Sequence, residues 1–173
     1  MNIVGKRTLR STLEQKVDAH PDRPFLIFEE QDGPVSTYSY LQFDRMVNRT
    51  ANALLELGVG KGDKVHLHLI NCPEFLFLWF ATAKIGAVLM PTNPLSPPDE
   101  LSYPVHHSES VVSVTQPELL TAVQAIRERC PNLREVIVVG GGGDGEHSFA
   151  DLIDGQSTKL RDVAIDPLDE VAI

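Results

Sequence analysis

From Lys64 to Pro94 the chain reads KVHLHLINCPEFLFLWFATAKIGAVLMPTNP, and the order of elements in this stretch decides the fold. Lys64 to Ile70 is predicted as a strand. Asn71, Pro73 and Glu74 then open a helix, because proline's missing N–H costs nothing in the first turn and an acid there faces the positive end of the helix dipole. Gly86 closes that helix, and Ala87 to Thr92 returns as strand. Two strands joined by a crossover helix lie parallel, so this unit points to a sheet covered by helices.

The unit recurs downstream. A second helix begins near Ser96 and Pro97, with Pro104 inside it implying a kink or early stop, and Val111 to Thr115 follows as strand. A third helix carries Leu119, Val123, Ile126 and Cys130 on one stripe and ends at Pro131, before the strand Glu135 to Val139. Strand starts near 64, 87, 110 and 135 are 23, 23 and 25 residues apart, the length of one strand plus one crossover helix. The residues themselves are not self-similar, so the period is structural. Val88 to Met90 and Val136 to Val139 are continuously apolar and are expected at the centre of the sheet, whereas His66 and His68 interrupt their strand.

Upstream, Leu9, Leu13 and Val17 recur at four-residue intervals after Thr8, the stripe of a short lid or docking helix that stops at Pro21. Phe25 to Glu29 and Val35 to Tyr38 form a hairpin around Asp32-Gly33. Ser39 and Gln42 make a capping box for a helix whose Phe43, Val47, Leu54 and Leu57 face the core while Arg45, Arg49, Asn52 and Glu56 share a polar face; Gly58 ends it. Beyond Val139 the texture changes: Gly140 to Gly145 is a flexible loop, Ser148 with Asp151 caps a short helix, Gly155 to Pro167 reads as linker, and Asp169 to Ile173 is a strand cut off at its start. The expected fold is therefore α/β, a mostly parallel sheet with helices on both faces and a small N-terminal β-hairpin. It divides into an opening helix, hairpin and helix (8–60), βα units (61–139), and the glycine loop, short helix, linker and cut strand (140–173).

Composition narrows the function. A chain of 173 residues, 42% hydrophobic and 23% charged, buries one substantial core. A formal charge of -9 argues against nucleic acid or an anionic membrane surface as partner. The longest apolar run, Phe75 to Ala83, stops at Lys84, well short of the about 18 residues a membrane span needs. The first ten residues carry no apolar h-region, so no secretory signal is expected. Cys72 and Cys130 are far apart without C-x-x-C spacing, which gives neither a disulfide framework nor a zinc site and fits a reducing cytoplasm.

Candidate sites each have a plainer alternative. Gly140, Gly142 and Gly145 fit G-x-G-x-x-G after a strand, but any glycine run does, and no long helix follows to receive a pyrophosphate. A surface loop is the preferred reading, and no G-x-x-x-x-G-K-[ST] occurs. His66 and His68 share one face of a strand and His106 and His107 are adjacent, yet a third metal ligand is not evident, so hydrogen-bonded or partly exposed histidines are preferred. Phe75, Phe77, Trp79 and Phe80 can line an acyl or cofactor pocket or simply fill the core, and core is preferred. Cys72 precedes a helix N-terminus, where a thiolate would be stabilised, but no base accompanies it, so a small buried or capping residue is preferred. Asp151, Asp154, Asp162, Asp166, Asp169 and Glu170 read as a solvated linker. No catalytic, cofactor-binding or metal-ligating residue is assigned.

Three stretches together resemble the N-terminal region of the adenylate-forming acyl-CoA synthetases. They are Thr37-Tyr-Ser-Tyr-Leu41; Gly58 to Val65, running into Asn71-Cys-Pro-Glu-Phe75; and AKIGAVLMPTNP from Ala83 to Pro94, which is similar to the family's second core motif. Within that family, Asn48-Arg-Thr-Ala-Asn52, His68 to Phe75 and the opening through Ile3, Gly5, Leu9 and Arg10 are most similar to crotonobetaine/carnitine-CoA ligases. Tyr40 departs from the pattern, standing where the wider family has an acid. The resemblance implies an intact enzyme that uses Mg-ATP to convert a carboxylic acid to an acyl-adenylate and pyrophosphate, then transfers the acyl group to coenzyme A. It also implies a nucleotide loop, T-S-G-T-T-G-x-P-K-G, shortly after a strand like the one starting at Val171, and a C-terminal domain with a catalytic lysine. Neither occurs in these residues, so the expectation is a truncated N-terminal subdomain, inactive alone, whose partner is the remainder of the ligase and whose uncovered apolar surface self-associates. A nucleotide-binding module built on Gly140 to Gly145 and a non-enzymatic interaction domain are the alternatives.

Overall fold

The computed structural model describes residues 5–30, 33–143 and 145–173. Of the positions read above, Ile3, Asp32 and Asp144 lie outside the described residues. Helix α1 (Leu9–Ala19) opens on a reciprocal cap between Thr8 and Ser11 and buries only Leu13. Strands β1 (Pro24–Glu29) and β2 (Val35–Ser39) pair antiparallel as a separate two-stranded sheet. Helix α2 (Tyr40–Glu56) starts at the expected Ser39/Gln42 capping box. At its first position the Tyr40 ring lies 4.7 Å from that of Phe25, tilted by 35°, and so contacts the hairpin.

The main body follows as β3 (Lys64–His68), α3 (Pro73–Ile85), β4 (Val88–Pro91), α4 (Pro98–His107), β5 (Val112–Thr115), α5 (Leu120–Ile126), β6 (Glu135–Val138), β7 (His147–Ser148) and α6 (Phe149–Ile153). Short 3₁₀ turns flank α5. The five strands form one parallel sheet in the order β4-β3-β5-β6-β7. Because side chains alternate across a sheet, Val65, Leu67, Val112, Val114 and Ile137 pack against Phe43, Val47, Leu54, Phe77 and Leu78 of α2 and α3. Met90 and Val136 on the opposite face pack against Leu101, Val105, Val123 and Ile126 of α4 and α5.

The expected depth of two strands is corrected. Apolar continuity placed Val88 to Met90 at the centre, but β4 is the outer strand of the ladder, and the histidine-bearing β3 lies inside it. Leu89 is nonetheless buried, since its N–H donates to Val171 C=O at 2.9 Å and its C=O accepts from Ile173 N–H at 3.0 Å. The expected strand at 169–173 is thus a single parallel bridge between Leu89 and Ala172. Strand β7 was not foreseen; two residues carry too little periodicity to register. Helix α4 runs three residues past Pro104 instead of stopping there.

The segment expected as linker is a strap fastened along its length. Asn52 donates to the carbonyls of Ser157 and Lys159 at 2.9 and 3.0 Å and accepts from Arg161 N–H at 3.1 Å, while Asn48 donates to Thr158 C=O at 2.9 Å. Further along, Arg10 donates to Val163 C=O at 3.0 Å, and Lys61 pairs with Asp169 at 2.8 Å. Asn52, read as part of a polar outer face, is therefore buried. Gly86 ends α3 at φ +72°, and a Cβ there would stand 3.2 Å from Lys61 Cγ and 3.5 Å from Ile165 Cγ2. The left-handed φ favours glycine there, and the close Lys61 side chain would have to shift for any larger residue.

Candidate functional site

The connection β3-α3-β4 runs to one side of β3, and β4-α4-β5 then crosses to the other. The chain therefore reverses direction between β3 and β5, and in open parallel sheets ligand crevices lie outside the carboxyl ends of the strands at such a reversal. Here those ends are His68 and Thr115.

Alternation puts His66 and His68 on one face of β3, with Ser113 and Thr115 beside them in register on β5. Thr92, just past β4, completes the group. His66 Nδ1 lies 2.8 Å from Ser113 Oγ and its Nε2 2.9 Å from Thr92 Oγ1, while His68 Nδ1 lies 3.1 Å from the same Thr92 oxygen. The two rings stack 5.9 Å apart. His66, His68, Ser113 and Thr115 have no solvent exposure. Burial, and secondarily the neighbouring His68, pulls the His66 pKa down to about 3, and burial lowers that of His68. Both rings are therefore neutral at pH 7. Two buried side-chain atoms at the carboxyl end, His68 Nε2 and Thr115 Oγ1, have no hydrogen-bond partner.

The 2.8 Å contact between His66 and Ser113 has the spacing of a nucleophile and its base, yet it cannot act as one. Its second nitrogen meets a threonine where a carboxylate would orient and charge it, and an imidazole with a pKa of about 3 is a poor base at neutral pH. No three His, Cys, Asp or Glu side chains gather among the described residues. The cluster is a neutral hydrogen-bonding layer.

The other sequence candidates are dispersed. Cys72 is the N-cap residue of α3 without a side-chain capping bond, and burial, chiefly, pushes its thiol up to about 12. Phe77 is buried and its ring contacts Tyr38 and Phe43, while Phe80 meets Phe25 and Phe43 and Phe75 meets Trp79, all within the core between hairpin, α2 and α3. His106 and His107 end α4, where His107 stacks on Tyr103. In the glycine loop Gly140 and Gly145 take φ +79° and +95°, and Gly142 lies so close to Ser148 that a Cβ would come within 3.2 Å of its Cβ. Glu146 Oε1 accepts from Gln124 Nε2 at 2.7 Å, and the five-residue α6 that follows offers no lysine or long helix to a phosphate. These residues do not fit a triphosphate. Of the acidic set, Asp169 is engaged by Lys61 and Asp166, contacts that hold its carboxyl below the usual range.

Thr92, Ser113 and Thr115 were not singled out in the sequence. The alternation V-S-V-T over Val112 to Thr115 was the available signal, since it puts two hydroxyls on one face.

Set against known proteins, residues 13–173 match the model of the AMP-binding enzyme family. The chain belongs to that family. It is 37% identical over 164 residues to crotonobetaine/carnitine-CoA ligase of Escherichia coli, covering 92% of this chain and 32% of that protein. Among solved structures it is similar to the anthranilate-CoA ligase AuaEII in complex with anthranoyl-AMP, with TM-score 0.85 and 26% identity over 96% of this chain and 31% of that one. It is also similar to the N-terminal domain of FACL13 from Mycobacterium tuberculosis, with TM-score 0.82 and 25% identity over 96% of this chain and 41% of that one. The chain thus spans about a third of the length of the curated relatives it matches. Within this AMP-binding fold, the stretch Ala83 to Pro94 forms the end of α3, strand β4 and the turn that Thr92 anchors. No described helix is long and apolar enough to cross a membrane.

Proposed function

We propose that these residues are the N-terminal scaffold of an ATP-dependent, AMP-forming carboxylic acid:CoA ligase of the cytoplasm, acting on a crotonobetaine- or carnitine-like acid. They do not adenylate by themselves. One observation carries this: 92% of the chain aligns at 37% identity with a CoA ligase, while among the described residues no metal-ligand cluster gathers and the glycine loop does not fit a triphosphate. Phosphoryl chemistry needs oriented N–H donors and cations at the phosphates. In this reading ATP, Mg and coenzyme A are held by other parts of the ligase, and the sheet edge at β4 with Val171 to Ile173 carries the chain toward them. The scaffold's own contribution is rigidity: the strap, α2 and the sheet fix where the Pro91 to Pro94 turn stands at the carboxyl edge.

The test is ATP–pyrophosphate exchange by the purified 173-residue chain with a panel of carboxylic acids, carnitine and crotonobetaine included. Background exchange with every acid is expected. Acid-dependent exchange above background would overturn the scaffold role.

A further inference from the structure

Five polar side chains form a continuous bridge from the strap, through the buried end of α3, and back to the strap. It starts at Thr158, whose C=O accepts from Asn48 Nδ2 at 2.9 Å; the same nitrogen donates to Asp44 Oδ2 at 2.9 Å, and Asn48 Oδ1 accepts from Lys84 Nζ at 2.9 Å. Lys84 also pairs with Asp44 Oδ1 and stands 3.9 Å from Glu14 Oε1, which pairs with Arg10 Nε at 3.0 Å. Arg10 Nη1 then donates to Val163 C=O at 3.0 Å. The order of groups fixes the Asn48 amide. Its oxygen must face the ammonium and its two N–H groups the carboxylate and the carbonyl, since a flipped amide would set donors against the donor and its oxygen against two acceptors. The Lys84 charge therefore orients the group that holds Thr158, and through Glu14 it also steadies the arginine that holds Val163.

We infer that α1 and residues 158–163 form one lid over the core at α2 and α3, latched by the Lys84 ammonium, and that the two segments open together when the latch is lost. Both lay apolar side chains on the same core, Leu13 and Val17 from α1, Leu160 and Val163 from the strap. Leu13 is buried but the other three are only partly so, whereas Val65, Leu67, Val112 and Val114 of the sheet have no exposure. Apolar burial thus holds the lid more weakly than the sheet beneath it. A cleft of about 820 Å³, lined by Thr8, Arg10, Glu14, Asp162 and Val163 among others, also lies between α1 and the strap, so the two are not packed along their length. Segments with few buried apolar contacts and partly exposed hydrogen bonds are the ones that open below the free energy of global unfolding. With packing this slight, the polar bridge decides whether the lid stays shut, and its state governs access to the apolar side chains of α2 and α3 underneath.

The test is amide hydrogen exchange by NMR on the intact 173-residue chain, comparing wild type with the double variant Lys84→Met, Asp44→Leu. Replacing both members of a buried ion pair by apolar groups of similar volume is close to neutral for overall stability, so exchange in β5 should stay as it is. Exchange at the Leu13 and Val17 amides of α1, and at Arg161 N–H between the two anchor points on the strap, should rise by a common factor of about ten- to a hundredfold. A rise confined to α1 or to Arg161, no rise in either, or an equal rise in β5 would overturn the inference. Should the double variant fail to fold, Arg10→Met, at the partly exposed rim of the bridge, is read by the same outcomes with a smaller common rise. No ligase chemistry enters, so the result stands apart from the function proposed above.

Discussion

Lys84 shows how a single buried charge is tolerated. Its ammonium is 1% exposed, lies 2.5 Å from Asp44 and 2.9 Å from Asn48 Oδ1, and ties α3 to α2, with Glu14 of α1 at 3.9 Å. Asp44→Ala leaves that ammonium with only the more distant and more exposed Glu14 as counter-ion and should cost about 3 kcal/mol in urea unfolding, whereas Lys84→Met, which removes the charge itself, should cost less. His66 contributes to the acid sensitivity of the fold. In the unfolded chain a histidine titrates near 6.5, but folded His66 titrates at about 3, so between those values the unfolded state binds more protons. Stability contributed by the neutral ring is present above pH 6.5 and is lost as the pH falls from there toward 3. Thermal midpoints measured between pH 7 and 4 should decline accordingly, and His66→Gln should flatten the decline. Cys72, with its thiol held up to about 12, should alkylate more slowly with iodoacetamide at pH 8 than an unhindered cysteine, as read by mass spectrometry. None of this was visible locally, because the partners of His66 stand 26 and 47 residues away. A histidine in a strand tells its chemistry only when its neighbours across the sheet are known.

At the scale of elements, punctuation made the order of strands and helices legible. Pro73 and Gly86 bracket α3, the Ser39/Gln42 pair opens α2, and the spacing of 23 to 25 residues announces crossover helices. Lateral order was not legible, since apolar continuity reports burial, and a strand is buried either by a ladder partner or by a passing segment. Leu89 is the instructive case: it is covered by Val171 to Ile173 although β4 is the outer strand. The strap escaped notice for a related reason, its fastening being backbone carbonyls gripped by Asn48 and Asn52 from 105 to 110 residues away. Asn52→Ala should expose residues 157–161, raising hydrogen exchange at Arg161 N–H while exchange in β5 stays unchanged. Gly86→Ala should destabilise the same region by about 1–2 kcal/mol, because its left-handed backbone and the Lys61 contact both resist a Cβ.

For the molecule as a whole, the parallel sheet carries a neutral polar layer at its carboxyl edge, and in the function proposed above it serves as the support for the remainder of a ligase. The family was legible from the motif at Ala83 to Pro94, while the polar layer was not, because its groups meet only in the folded sheet, 24 to 47 residues apart in sequence. Tyr103, Leu95 and Ile173 are exposed at 70%, 86% and 57%, and we expect them to drive self-association that light scattering detects as a mass rising with concentration. A constant monomer mass would contradict that. The most direct measurement grafts this chain in place of the matching third of the Escherichia coli crotonobetaine/carnitine-CoA ligase and follows ATP–pyrophosphate exchange. The chimera should exchange in an acid-dependent manner while the 173 residues alone do not. A folded chimera without exchange, or exchange by the short chain alone, would contradict the scaffold role.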